Sequence, residues 1–216
     1  MPVSDQPALP AELTLSALQD YVRRMVAARG FTTDRNEIFI MLVEEVGELA
    51  TEYKHRAFYP ERFDRENLAH ELADILLYLV DLANGFGVEL WPLWREHERE
   101  NDRRFAERRG HTEPLTVPSE AEPTVNALVA HCEAKRRERA FADSAETLLI
   151  LLCEEVGEIA HEVRKHWKGQ AEAGRIGREM LDALHYLFRL AHVFEVELER
   201  AVTDKERRNA ERTWRY

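Results

Sequence analysis

The residues best placed to do chemistry in this 216-residue chain are carboxylates, and they come as one pattern written twice. The first copy is Glu44-Glu45-Val46-Gly47-Glu48, followed downstream by Glu71-Leu72-Ala73-Asp74. The second is Glu154-Glu155-Val156-Gly157-Glu158, followed by Glu179-Met180-Leu181-Asp182. Acids at i and i+3 share one helix face. Two such helices packed together would converge Glu45, Glu48, Glu71 and Asp74 on a small volume, and Glu155, Glu158, Glu179 and Asp182 on another. Carboxylates so crowded repel one another and resist desolvation. A hard divalent cation relieves both penalties, and Mg²⁺ in particular takes oxygen ligands while keeping waters for phosphates.

The elements that must position these acids are helices. Hydrophobic spacing predicts them near 14–29, 34–56, 66–83 and 89–108, then 124–139, 144–167, 173–193 and 196–213. Asp34 with Glu37 reads as a capping box, Asn84-Gly85-Phe86-Gly87 as a helix stop, and Pro92 is tolerated in a first turn. No strand pattern appears, so the fold class is all-α. At about 100° per residue, Leu42, Val46 and Leu49 form one buried stripe, and Leu68, Leu72, Ile75 and Leu79 another. Glu45 and Glu48 flank the first stripe on the same side as Glu71 and Asp74 flank the second. Glu44 and Glu154 fall further round, as outer or solvent-side groups. Gly47 and Gly157 in mid-helix cost about 1 kcal/mol each relative to Ala and predict close approach of a helix or ligand. A merely solvated flank would carry i,i+4 ion pairs. Four residues after Glu44, Glu45, Glu48, Glu71 and Asp74 come Glu48, Leu49, Glu52, Ile75 and Tyr78, none of them basic.

The duplication extends beyond the acids. Adding 110 takes Phe31 to Phe141 and Glu44 to Glu154; further on, adding 108 takes Glu71 to Glu179, Tyr78 to Tyr186 and Asn101 to Asn209. A single two-residue length difference in the loop between the motif halves accounts for the change. The chain divides into a loose tail (1–13), a first module (14–109), a proline-bearing linker (110–123) and a second module (124–216).

With 44% hydrophobic residues the chain can build a core, and its formal charge of −11 argues against a broad duplex nucleic-acid surface. Its longest apolar runs, Ile75 to Val80 among them, are too short to span a bilayer, and the first residues do not resemble a signal peptide, so a cytoplasmic protein is expected. Cys132 and Cys153 have no metal-ligand spacing and read as buried thiols.

Glu-Glu-x-x-Glu followed some twenty residues later by Glu-x-x-Asp, in helical modules of about 100 residues, resembles the MazG-type all-α nucleoside triphosphate pyrophosphohydrolases. The resemblance covers both modules and implies tandem four-helix units packed as a single-chain pseudo-dimeric bundle, with a homodimer of whole chains as a further assembly. It implies Mg²⁺, with Mn²⁺ as a substitute, held by Glu45, Glu48, Glu71, Asp74, Glu155, Glu158, Glu179 and Asp182. Glu45 or Glu48 would orient the attacking water, with Glu44 the weaker general base; Glu155, Glu158 and Glu154 are their counterparts. The family's Lys-x-x-x-Asn-x-x-Arg tail is matched by Lys205, Asn209 and Arg212, with Trp214 beside it, for contact with the triphosphate or base. The first module keeps Asn101 and Arg104 but has His97 in place of the lysine. Lys54 follows the first pentapeptide, with Arg164 its counterpart, and Lys168 belongs to the cluster Lys165-His166-Trp167-Lys168, which could cover a nucleotide. The expected reaction is cleavage of a (d)NTP to (d)NMP and pyrophosphate, in nucleotide-pool housecleaning. The fuller tail makes the second copy the favoured active one.

Base selection is expected from Tyr53, Phe58, Tyr59, Trp91, Trp94, Trp167 or Trp214. Two other classes compete. A carboxylate-bridged di-iron bundle needs Glu-x-x-His on two helices; Glu158-Ile159-Ala160-His161 offers one such pair, but the counterpart position to His161 is Thr51, and the other motif helices carry Asp74 and Asp182 instead of His. A non-catalytic regulator would keep the bundle without turnover.

Overall fold

Each half of the chain begins on a threonine. Thr14 and Thr124 cap their helices through side-chain oxygens that accept from Ala17 N and Ala127 N. The two caps meet in an isolated antiparallel bridge, where Val125 N donates to Leu13 O at 2.7 Å. The computed structural model describes residues 7–109, 121–141, 143–170 and 174–211, with backbone alone at 107–109 and 211. Among these residues there are eight α-helices and no strand: α1 (Leu15–Arg29), α2 (Arg35–Phe58), α3 (Arg65–Phe86), α4 (Leu90–Arg109), α5 (Val125–Arg139), α6 (Ala145–Trp167), α7 (Arg175–Val193) and α8 (Leu198–Glu211). A single 3-10 turn, Pro60–Arg62, lies between α2 and α3. The protein is all-α.

Local chemistry sets the helix limits. Asp34 caps α2, but Glu37 does not reach back to its backbone. Instead Asp34 N donates to Thr32 Oγ1, whose hydroxyl donates to Glu37. The helix α3 continues past the expected stop, through Asn84 and Gly85 to Phe86, because Asn84 is held on both sides: Nδ2 donates to Gln19 O and Oδ1 accepts from Gln19 Nε2. Gly87, at φ 68°, ends it in the left-handed conformation that glycine adopts without strain.

The acid-bearing helices pair as their stripes require, α2 along α3 and α6 along α7, while α3 and α7 touch. Leu42, Leu49, Leu68, Leu72, Ile75 and Leu79 are all buried, each contributing about 1.5–3 kcal/mol of hydrophobic stabilisation. The helices α1 and α5 cover α3 and α7. The last helix of each half crosses over: α8 packs on α3, and α4 packs on α7. Gly177 permits the second crossing, since a Cβ there would lie 2.6 Å from Leu93 Cδ2.

Three expectations are corrected. Leu13, assigned to a loose tail, is buried, and Leu9 packs on the core. Cys153 is exposed, whereas Cys132 is buried as expected. Among the described residues no neighbouring helix approaches Gly47 or Gly157, which face open space on the outer side of α2 and α6. No described helix is long and apolar enough to cross a membrane.

Candidate active site

The pairing of α2 with α3 gathers Glu45, Glu71 and Asp74, with one oxygen of each within 4.8 Å of the others. Glu71 and Asp74 are buried and Glu45 is half-buried. Burial, then the charge of Asp74, pushes the Glu45 carboxyl up to about 8, and Glu71 shares a hydrogen bond with it. Burial likewise pushes Asp74 up to about 6, against the pull of Lys205, and raises Glu71. Glu71 Oε2 is buried and has no hydrogen-bond partner. A buried carboxylate oxygen without a donor, among two other carboxylates, fits a divalent cation. Glu48 is exposed at the edge of this group, near enough for its charge to raise Glu71 and Asp74. Glu44 is exposed further out.

The second set follows the same plan. Glu155, Glu179 and Asp182 bring one oxygen each within 4.8 Å of the others. Burial, then Asp182, pushes Glu155 up to about 7, and burial raises Glu179. Glu158 and Glu154 are exposed.

The crossed helices decide what faces each set. Lys205 of α8 forms an ion pair with Asp74, in the first set. His97 of α4 lies with its Nε2 3.5 Å from Asp182 Oδ1, in the second. The basic tail of the second half therefore completes the first acid set, which reverses the expected pairing of Lys205 with Glu155, Glu179 and Asp182. Buried polar contacts fix the crossing. Tyr21 donates to Glu206 of α8, and Arg29 Nη2 donates to the same carboxylate at 2.8 Å. In the equivalent place, Glu98 of α4 meets His131 at 3.0 Å and His185 at 2.8 Å, and Arg139 lies 4.0 Å away. These interactions hold the Glu98 carboxyl well below the usual range despite its burial.

Beside each set is a cavity, of about 200 Å³ at the first and 210 Å³ at the second. The first runs from Glu45, Asp74 and Lys205 past Leu77 and Tyr78 to Asp81, with Val22, Met25 and Phe31 on its wall. The second exchanges several of these for ionic groups: Lys135 stands for Met25, His185 for Leu77 and Arg189 for Asp81. Arg189 is ion-paired with Asp143, and Lys135 Nζ with Asp102 at 2.9 Å. Asp81 has no hydrogen bond or ion pair among the described residues, and burial alone pushes it up to about 6.

Other anticipated residues take other places. Asn209 is buried, lines the first cavity and donates to Glu206 Oε1. Asn101 lines the second cavity, 3.4 Å from His97. Lys54 and Lys168 are exposed and line neither cavity; exposed Arg104 pairs with Glu100 at 2.6 Å. Arg212 and Trp214 lie outside the described residues. Trp91 and Trp94 belong to the core, while Phe58, Tyr59 and Trp167 are exposed. Half-buried Tyr53 packs on Phe194, 6.5 Å between ring centres. The cluster at 165–168 braces α6 on α2: His166 contacts Arg35, and Trp167 Nε1 donates to Asn36 Oδ1. The aromatic groups of the first cavity are Phe31 and Tyr78, which spacing used only to set the repeat offset. Constancy of that offset could have singled out Arg29 with Arg139 and Glu98 with Glu206.

Residues 34–89 match the family model of the MazG nucleotide pyrophosphohydrolase domain. The match spans α2 and α3, and so the whole first acid set, and stops short of α8. No curated protein and no solved structure matches the chain at a significant level.

Proposed function

We propose that the chain is a Mg²⁺-dependent nucleoside triphosphate pyrophosphohydrolase whose working site is the first acid set, completed by α8. The observation that carries this reading is the convergence of Glu45, Glu71 and Asp74, with the orphaned Glu71 Oε2, on one end of a cavity that Lys205 also reaches. Supporting it, the matched segment 34–89 contains all three acids and belongs to a family of nucleotide pyrophosphohydrolases.

Glu45, Glu71 and Asp74 would hold Mg²⁺, with Glu48 at the edge as a further oxygen ligand. Bound there, the metal would supply positive charge and Lewis acidity. Glu48 or Glu45 orients the attacking water and accepts its proton, and the water oxygen bonds to the α-phosphorus. The bond from that phosphorus to the bridging oxygen breaks, and pyrophosphate departs with the electron pair. Lys205 lowers the cost of the charge that develops on the leaving group. Asn209, on the same helix face, offers its buried amide to the substrate.

The far end of the cavity suits a nucleobase. Asp81 is two turns beyond Asp74, about 10 Å along α3 at 1.5 Å per residue. A nucleoside monophosphate spans that interval from phosphorus to base edge. Phe31 and Tyr78 provide aromatic walls, and the unpartnered Asp81 carboxylate accepts hydrogen bonds from an exocyclic amino group. Amino-bearing bases are thus favoured over uracil and thymine, whose corresponding edge offers a carbonyl.

The test is pyrophosphate release from a panel of NTPs and dNTPs, with Mg²⁺ and with EDTA. Release from cytosine or purine nucleotides that needs the metal and is lost in Glu71→Gln is expected. No release from any nucleotide would leave a non-catalytic bundle.

A further inference from the structure

We propose that the second acid set is a mixed nitrogen–oxygen metal site, with His97, Asp182 and His185 as ligands, selective for a transition metal over Mg²⁺. The inference stands apart from activity at the first set.

Ligand atoms of these three residues lie within 4.8 Å of one another. The two histidines come from different helices, and neither has a counterpart at the first set, where Lys205 and Leu77 hold the same places. His97 is only 7% exposed, its Nε2 faces Asp182 Oδ1, and its Nδ1 is buried with no partner. His185 is oriented as metal-binding histidines are: with Nδ1 donating to Leu181 O at 2.8 Å, the ring turns Nε2 toward the cluster. There Nε2 faces Glu98 Oε1 at 2.8 Å, two atoms that need a cation or a proton between them.

Glu155 and Glu179, which group with Asp182, supply further oxygens. Imidazole with carboxylate suits Zn²⁺, Fe²⁺ or Mn²⁺, whereas Mg²⁺ selects oxygen and water. The competing arrangement is a metal-free one, in which both histidines are protonated and serve as cations toward Glu98 and Asp182.

Pulsed electron paramagnetic resonance of Mn²⁺ bound to the full chain separates the two, because it detects coupling to imidazole nitrogen directly. One Mn²⁺ with nitrogen coupling is expected in the wild-type protein. The signal should persist in Glu45→Gln/Asp74→Asn, which removes the first set, and lose one of its two nitrogen couplings in His97→Lys, which installs the side chain found at the first set. Zn²⁺ affinity should fall at least about tenfold in the same variant. Absence of coupling in the wild type, an unchanged pair of couplings in His97→Lys, or loss of coupling with the first set would each overturn the proposal. Labelling histidine with ¹⁵N gives the same decision on the wild-type chain alone, should His97→Lys fail to fold: coupling that changes with the label supports the site, and coupling that does not refutes it.

Discussion

Lys205 and Asp74 are 131 residues apart and form an ion pair across the two halves of the chain. The lysine stands on α8 and the aspartate on α3, so the cation nearest the first acid set comes from the far end of the sequence. Glu206, the next residue, is held by Tyr21 and Arg29 of α1. Those contacts orient the helix face that carries Lys205 and Asn209.

Removing that cation should slow hydrolysis without dismantling the site. Lys205→Ala is expected to lower kcat about 10²–10³-fold, the usual cost of losing one donor to developing charge. His97→Ala, at the corresponding place in the other half, should leave kcat within about twofold, since His97 faces Asp182. Pyrophosphate release measured for both variants decides which acid set works. Equal losses would place activity at both.

Metal and protons compete for the first acid set, and the sign of the competition is fixed. The carboxyls of Glu45, at about 8, and Asp74, at about 6, lie above their ordinary values of 4.5 and 3.8. A carboxyl raised by folding stabilises the fold while it keeps its proton. That contribution is complete below the ordinary value and is lost as pH rises through the folded one. Metal-free protein should therefore lose stability between about pH 4 and 8, and the stabilisation by Mg²⁺ should grow over the same interval. Thermal melts with EDTA and with Mg²⁺ at pH 5.5 and 8 test this; a Tm difference that shrinks as pH rises contradicts it.

Base choice should turn on Asp81. Asp81→Asn replaces an acceptor-only group with one that also donates. The ratio of kcat/KM for dCTP over dUTP should fall at least about tenfold, the effect of one mismatched hydrogen bond in a desolvated pocket. In the wild type the same ratio should rise with pH through about 6, as Asp81 ionises. An unchanged ratio in Asp81→Asn would remove Asp81 from the base pocket.

The pair Lys135–Asp102 should be structural. Both side chains are at most 5% exposed, and Arg139 also contacts Asp102, at 3.1 Å. Asp102→Ala leaves two cations without their shared anion and should destabilise the fold by about 3–5 kcal/mol. Urea unfolding measures it, while turnover per folded molecule at the first set should hardly change.

The helices and the two acid sets were legible in the sequence because both are local. Period, caps and i,i+3 spacing place Glu71 with Asp74 on α3 without any knowledge of the fold. Glu45 and Glu71 could be joined because their apolar stripes match. Lys205 could not be assigned in the same way. Its partner depends on which helix α8 covers, and spacing within one half carries no information about a crossing between halves. Asp81 escaped for a related reason: a lone carboxylate on α3 has no pattern, and only the cavity wall distinguishes it from a surface acid. Phe31 carries no sequence signal that sets it above seven more conspicuous aromatics, since size says nothing about which rings a cavity exposes.

The crossing of α4 and α8 has a consequence for how such a chain can change over generations. A substitution in the last helix alters the first acid set and spares its own, so each half is selected through the performance of the other. A copy trimmed to residues 1–109 would inherit every acid of the first set without Lys205. The same arrangement gives freedom: once Lys205 secures one set, His97 and His185 can accumulate at the other without penalty to the first.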